Sequence, residues 1–163
     1  MNQETLSAAA AEAVALLRNG YSMEWLNVPR QLGFGPRYAN RGRRRLPESV
    51  PALRECALWL HSQFVEKWGV KPNILYVQMC ATSGVSPHQD PATDLVGTSI
   101  LYLGDFQGGD LVFVKDGKTI TLPARPGVIN HLPCTVNGIR GPRHWTTPHV
   151  GTRISLILNY NNR

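Results

Sequence analysis

A chain of 163 residues with 42% apolar content is the size of one domain, long enough to bury a single core and too apolar to be disordered. No apolar run approaches membrane-spanning length, and the chain does not open on the basic, apolar and small-residue succession of a signal peptide, so a cytoplasmic or nuclear protein with no membrane partner is expected. The net charge of +6 favours an anionic partner without requiring one, and Cys56, Cys80 and Cys134, odd in number and scattered, suggest neither a disulfide framework nor a CxxC zinc site.

Residues 3 to 18 are rich in alanine, with Leu6, Ala10, Ala13 and Leu17 recurring at helical spacing and Gly20 standing where a helix ends, which predicts an amphipathic helix. Residues 21 to 45 break into Pro29, Gly33, Gly35, Pro36 and Gly42. Between Arg30 and Arg45 lie six arginines and no acid, with Phe34 and Tyr38 among them. Aromatics interleaved with arginines can stack on bases and pair with phosphates, or they can form a loop's own small core. A second helix is predicted from about Pro47 to Trp68, where Leu53, Ala57, Leu60 and Phe64 share a face and Gly69 closes it.

From Pro72 the texture changes to short apolar or alternating runs between turns. Strands are predicted at 74–79, 100–103, 111–114, 119–122, 128–132 and 154–160, and Asp116-Gly117 is a hairpin signal. Two helices followed by short strands point to an α+β domain, a β-sandwich or barrel with both helices packed on one side. We expect a single domain over 1–163, in which 1–70 is the helical and basic-loop part and 72–160 the β core, and we expect a monomer.

The stretch Gly84-Val85-Ser86-Pro87-His88-Gln89-Asp90 places an imidazole and a carboxylate two residues apart, and on an extended segment such residues project to the same side. His88 and Asp90 could therefore reach one metal ion if a third ligand arrives from elsewhere. Two histidines and a carboxylate on one face of an octahedron suit non-haem ferrous iron. Three histidines compete for the third place. His144 and His131 each stand nine residues before an arginine, Arg153 and Arg140, whereas His149 lies four before Arg153. Arg153 opens an apolar strand with an Arg-x-Ser pattern, while Arg140 runs into Gly141-Pro142, so His144 is preferred.

His88-x-Asp90 ahead of a run of strands, Gly108-Gly109-Asp110-Leu111-Val112-Phe113, and a distal histidine nine residues before the arginine of Gly151-Thr152-Arg153-Ile154-Ser155 together resemble the iron(II)- and 2-oxoglutarate-dependent dioxygenases over residues 72 to 160. The resemblance implies a double-stranded β-helix (jelly-roll) core. It implies Fe(II), 2-oxoglutarate as small-molecule cosubstrate, and O2, with decarboxylation to succinate coupled to hydroxylation of a substrate C–H bond. It assigns His88, Asp90 and His144 to iron, and Arg153 to the distal carboxylate of 2-oxoglutarate, which a planar two-pronged guanidinium suits and a lysine does not. Ser155, on the same strand face as Arg153, and Tyr102 would bond the same carboxylate; a packed sheet residue is the alternative for Tyr102.

Looser resemblances bear on the substrate. Pro29-Arg30, Phe34-Gly35, Tyr38, Leu46-Pro47 and Pro51-Ala52-Leu53 are similar to the nucleotide-recognition segment of AlkB-like demethylases, and Gly97-Thr98-Ser99-Ile100 with Leu103-Gly104-Asp105-Phe106 resembles strands of TET/JBP-like pyrimidine oxidases. These imply oxidation or oxidative demethylation of a nucleic-acid base, with nucleic acid held through segment 30–45 by Arg43, Arg44, Arg45, Phe34 and Tyr38. The chain departs from the AlkB-like pattern at Asn159, where those proteins carry a second arginine. Gly108-Gly109-Asp110-Leu111-Val112-Phe113 also resembles the prolyl hydroxylase pattern, so hydroxylation of peptidyl proline or of a small molecule remains open, as does a non-catalytic binding module.

Overall fold

The computed structural model describes residues 1–18, 25–26, 50–72, 74–79, 84–90, 95–133 and 140–161. Among the described residues two helices, α1 (Gln3–Arg18) and α2 (Pro51–Trp68), accompany ten strands: β1 (Trp25–Leu26), β2 (Ile74–Met79), β3 (Leu95–Leu103), β4 (Phe106–Gly108), β5 (Leu111–Lys115), β6 (Lys118–Leu122), β7 (Ile129–Pro133), β8 (His144–Thr146), β9 (His149–Gly151) and β10 (Ile154–Asn161). A five-stranded sheet has the order β1-β2-β10-β3-β7, a three-stranded sheet the order β6-β5-β8, and β4 pairs with β9. Every ladder is antiparallel.

The large sheet is sided by the two-residue period of its strands. Leu101, Leu103, Ile154, Leu156 and Leu158 are buried against α1 and α2, where they meet Leu6, Ala9, Ala13 and Leu16 of α1 and Leu53, Cys56, Ala57, Leu60 and Phe64 of α2. Full burial of each leucine is worth about 1.5–3 kcal/mol before entropy. The opposite face carries Tyr102, packed with Phe106 and Ala124, and Leu132, packed with Leu111 and Phe113 of the small sheet. Both helices therefore lie on one side and the small sheet on the other.

The main departures from the sequence reading are the buried face of α1 and the starts of α2 and β3. The face that α1 buries runs Leu6, Ala9, Ala13, Leu16, so Ala10 is only half-buried beside it. Helix α2 starts at Pro51, not near Pro47, because a residue before proline is pushed out of the helical region: Val50 sits at φ −121°, ψ 60°. Val50 has no side-chain oxygen to cap the helix, and α1 supplies one instead. Glu12 accepts from the Ala52 and Leu53 amides at 3.2 and 2.7 Å, placing a carboxylate on the helix's first turn. Strand β3 begins at Leu95 rather than Ile100. Its Gly97 is a site of close approach, since a Cβ there would lie 2.3 Å from the Trp68 ring.

Two turn signals act as read, while Gly20, Pro29, Gly33, Gly35, Pro36 and Gly42 lie outside the described residues. Asp116 (φ 52°) and Gly117 (φ 72°) form the left-handed pair that joins β5 to β6. Gly69 (φ 71°) ends α2 and donates its amide to Val65 O. Among the described residues no helix is long and apolar enough to cross a membrane.

Candidate metal and anion site

The segment carrying His88 is not a named strand, but it pairs with β8. His88 and His144 exchange both backbone hydrogen bonds, at 3.0 and 2.9 Å, as an antiparallel bridge. The pairing is fixed one step further along by Thr146, whose amide donates to Val85 O (3.2 Å) and whose hydroxyl accepts from the Val85 amide (2.7 Å). Two histidines 56 positions apart in sequence are thus brought side by side, ring centroids 4.4 Å apart. Strand β8 is itself held by β5, with Phe113 opposite His144 and Leu111 opposite Thr146.

Each imidazole is oriented in the same way. His88 Nδ1 lies 2.8 Å from Ser86 O and His144 Nδ1 lies 2.9 Å from Pro142 O. A carbonyl can only accept, so both rings carry a hydrogen on Nδ1, which leaves Nε2 as the atom each ring can offer to a ligand bond. Those two Nε2 atoms sit 3.5 and 3.7 Å from one oxygen of Asp90. All three ligand atoms lie within 4.8 Å of one another. Ligands about 2.1 Å from one ion at right angles would be about 3 Å apart, so side-chain movements of about an ångström would close the set. Donor chemistry and tautomers both fit a divalent metal bound by two imidazoles and one carboxylate. Arg140 anchors the Asp90 backbone by donating to its carbonyl from Nε (3.3 Å) and Nη2 (3.1 Å), and Gln89 donates to Gly141 O at 3.1 Å. His144 is the buried member, while His88 is exposed, which leaves the cluster open on one side.

Arg153, 3% exposed, lies just before β10. It donates from Nη2 to Gly109 O at 3.0 Å and from Nη1 to Ser155 Oγ at 3.2 Å. Its guanidinium carbon is 4.8 Å from the Tyr102 ring centre and 6.0 Å from that of Phe106. Ser155 is opposite Tyr102 in the β10–β3 register, so all three residues read as cosubstrate-binding are in one neighbourhood. Gly109 (φ 71°) is what admits the arginine: a Cβ there would stand 2.6 Å from Arg153 Nε and 2.7 Å from Cδ. The Gly109 carbonyl is two residues from Leu111, which pairs with β8 beside His144, so one short piece of chain ties the arginine to the histidine cluster.

The competing histidines are elsewhere. His131 points to the helix side of the sheet, with Nδ1 2.8 Å from Ser99 Oγ and its ring edge-on to Trp68 at 6.1 Å. Burial, with Lys67 adding to it, holds its pKa below the usual value. His149 is buried on β9 and pairs with Gly108, outside the three-residue cluster. Asn159, at the position of the missing second arginine, is buried and accepts a hydrogen bond from Thr98 at 2.6 Å. Cys56 is buried in the helical core, which pushes its thiol up to about 11 with help from the Glu55 and Glu12 carboxylates, so it is no nucleophile. Arg43, Arg44, Arg45, Phe34 and Tyr38 lie outside the described residues.

Sequence reasoning missed Asn130, whose Nδ2 lies 3.2 Å from the Tyr102 hydroxyl and 3.1 Å from Pro123 O. A polar residue inside the apolar run 128–132 was the available signal. It also missed the carbonyls of Ser86 and Pro142, because a main-chain acceptor has no residue signature.

No protein-family model matches the sequence, and no curated protein does. Solved structures do match. The chain is similar to a prolyl-4-hydroxylase from Pseudomonas putida, with a TM-score of 0.61 and 16% identity, over 100% of this chain and 81% of that one. It is also similar to an oxidoreductase of the 2OG-Fe(II) oxygenase family from Burkholderia pseudomallei, with a TM-score of 0.51 and 17% identity, over 70% of this chain and 62% of that one. The chain has the fold of the 2OG-Fe(II) oxygenases, and on it His88, Asp90 and His144 cluster and Arg153 is buried.

Proposed function

We propose that the protein is an Fe(II)- and 2-oxoglutarate-dependent oxygenase that hydroxylates a C–H bond on a double-stranded β-helix core. The observation that carries this reading is the pair of imidazoles whose Nδ1 atoms are both committed to main-chain carbonyls and whose Nε2 atoms converge on Asp90. His88, Asp90 and His144 would hold the iron. Arg153, Ser155 and Tyr102 would hold the distal carboxylate of 2-oxoglutarate, the guanidinium supplying charge and the two hydroxyls supplying direction. When bound, the iron and cosubstrate supply activation of O2 coupled to oxidative decarboxylation. The chain's own part is to fix ligand geometry, anchor the cosubstrate and bury its charged end: Arg153 and Ser155 are 3% and 2% exposed.

Peptidyl proline is the first substrate class, supported by the likeness to a prolyl-4-hydroxylase along the whole chain and by the Gly-Gly-Asp-Leu-Val-Phe strand. A nucleic-acid base is the second, supported by the six arginines of segment 30–45 and the aromatics among them. One assay separates them. The protein with Fe(II), 2-oxoglutarate and O2 is incubated with proline-containing peptides and, in parallel, with DNA and RNA bearing methylated bases, and each product is read by mass together with succinate release. A 16 Da gain on proline supports the first class. An oxidised or demethylated base supports the second, and binding should then weaken linearly on a log–log salt plot, with a slope that flattens by up to about three when Arg43, Arg44 and Arg45 become alanine. Folded protein that releases no succinate with or without substrate would overturn the enzyme reading in favour of a binding module.

A further inference from the structure

We propose that Arg140 is a positioning residue for the metal cluster: its guanidinium supplies the hydrogen bond that Pro142 cannot, and so holds the Asp90 main chain where the Asp90 carboxylate meets His88 and His144. This rests on the metal reading of that cluster given above.

The argument begins with the ladder between the two ligand-bearing segments. His88 and His144 exchange both main-chain hydrogen bonds, at 3.0 and 2.9 Å, which makes them a hydrogen-bonded pair of an antiparallel ladder. The next such pair falls two residues on, and counting along both segments sets Asp90 opposite Pro142. Proline has no N–H, so the ladder bond that would end on Asp90 O cannot come from residue 142. Arg140 takes that place with its side chain, donating to Asp90 O from Nε at 3.3 Å and from Nη2 at 3.1 Å. Gln89 returns the contact, its Nε2 donating to Gly141 O at 3.1 Å. Each segment thus lends one side chain to the other's main chain. One of these contacts ends on a metal-ligand residue, and the other ends just before Pro142, whose carbonyl orients the His144 ring at 2.9 Å.

The two ways in which Arg140 could act on a metal have opposite signs. Acting only as an exposed cation, it would repel a divalent ion, and its removal would tighten metal binding. Acting through the Asp90 carbonyl, it keeps the carboxylate facing the two Nε2 atoms at 3.5 and 3.7 Å, and its removal would weaken metal binding. Both of its bonded nitrogens lie on the Asp90 carbonyl, which favours the second action.

The test measures Mn(II) binding to the full chain by calorimetry, without cosubstrate or O2, so that no turnover is needed. Arg140→Ala should weaken Mn(II) about tenfold, as expected when a group that supports a metal ligand is lost. Arg140→Lys keeps the charge but not the planar fork, and should weaken it in the same direction. Pro142→Ala restores a main-chain N–H opposite Asp90. Combined with Arg140→Ala it should recover most of the lost affinity, which it would not do if the arginine only packed the surface or only carried charge. Mn(II) affinity unchanged or raised in Arg140→Ala would overturn the proposal, and so would the absence of any recovery in the double variant. Asp90→Ala separates this from the underlying reading: if it leaves Mn(II) affinity intact, the metal assignment itself fails; if it abolishes binding while Arg140→Ala does not weaken it, only the positioning role fails.

Discussion

Gly109→Ala isolates how closely Arg153 is packed, because Gly117→Ala provides a matched control. Both glycines have nearly the same left-handed backbone, φ 71° and 72°, so an alanine at either bears the same conformational cost of about 1–2 kcal/mol. They differ in what a Cβ meets. At Gly117 there is nothing within 4 Å, whereas at Gly109 the atom would stand 2.6 Å from Arg153 Nε and 3.2 Å from His149 Cβ. Relief requires the guanidinium to leave Gly109 O, and loss of one buried charge-assisted hydrogen bond costs about 1.5–3 kcal/mol more. Urea unfolding should therefore show Gly117→Ala destabilised by about 1–2 kcal/mol and Gly109→Ala by a further 1.5–3 or so, with unchanged denaturant slopes. Only Gly109→Ala should also lose 2-oxoglutarate affinity. Equal destabilisation of the two variants with intact binding in both would refute the close-approach argument.

Glu12→Ala removes the carboxylate that caps α2 from α1, and should cost about 1 kcal/mol, read as a fall in thermal midpoint of roughly 2–4 °C; no change would mean that the Ala52 and Leu53 amides are satisfied equally well without it. His131 has a lowered pKa through burial and then Lys67, so the folded state favours its neutral form. Its contribution is complete above the unfolded value near 6.5 and is lost as pH falls through that value, where the unfolded chain binds the extra proton. Unfolding followed between pH 7.5 and 5 should show a shallower decline for His131→Asn than for the natural chain, and identical slopes would contradict this. His61, lowered by burial and then by Lys71, remains to supply part of the decline.

Periodicity made the scaffold legible where each strand or helix carries its own signal. Strands β5 and β6 and their left-handed turn follow from Asp116-Gly117 and the alternation on either side. The His-x-Asp triplet and the Arg-x-Ser strand located four of the residues that the fold brings to the site. What escaped is non-local. Strands β8 and β9 are three residues each, too short for a pattern, and exist because β5 and β4 pair with them. The need for glycine at 97 comes from Trp68, whose ring lies where a Cβ would be. Asn130 gains its meaning from Pro123 and Tyr102, 7 and 28 positions away. The choice of His144 over His131 rested on the strand that follows Arg153, and the sheet supplies a physical reason: His131 is turned to the helix face, where Ser99 and Trp68 occupy it.

The most direct test of the account is metal stoichiometry and cosubstrate affinity in single histidine variants. Anaerobic titration of the natural chain with Fe(II) should saturate at about one ion, and 2-oxoglutarate should bind tightly only once it has done so. His144→Ala and Asp90→Ala should abolish that ion, while His131→Ala and His149→Ala should retain it. Iron bound as well by His144→Ala as by the natural chain, or lost on replacing His131, would contradict the site described above.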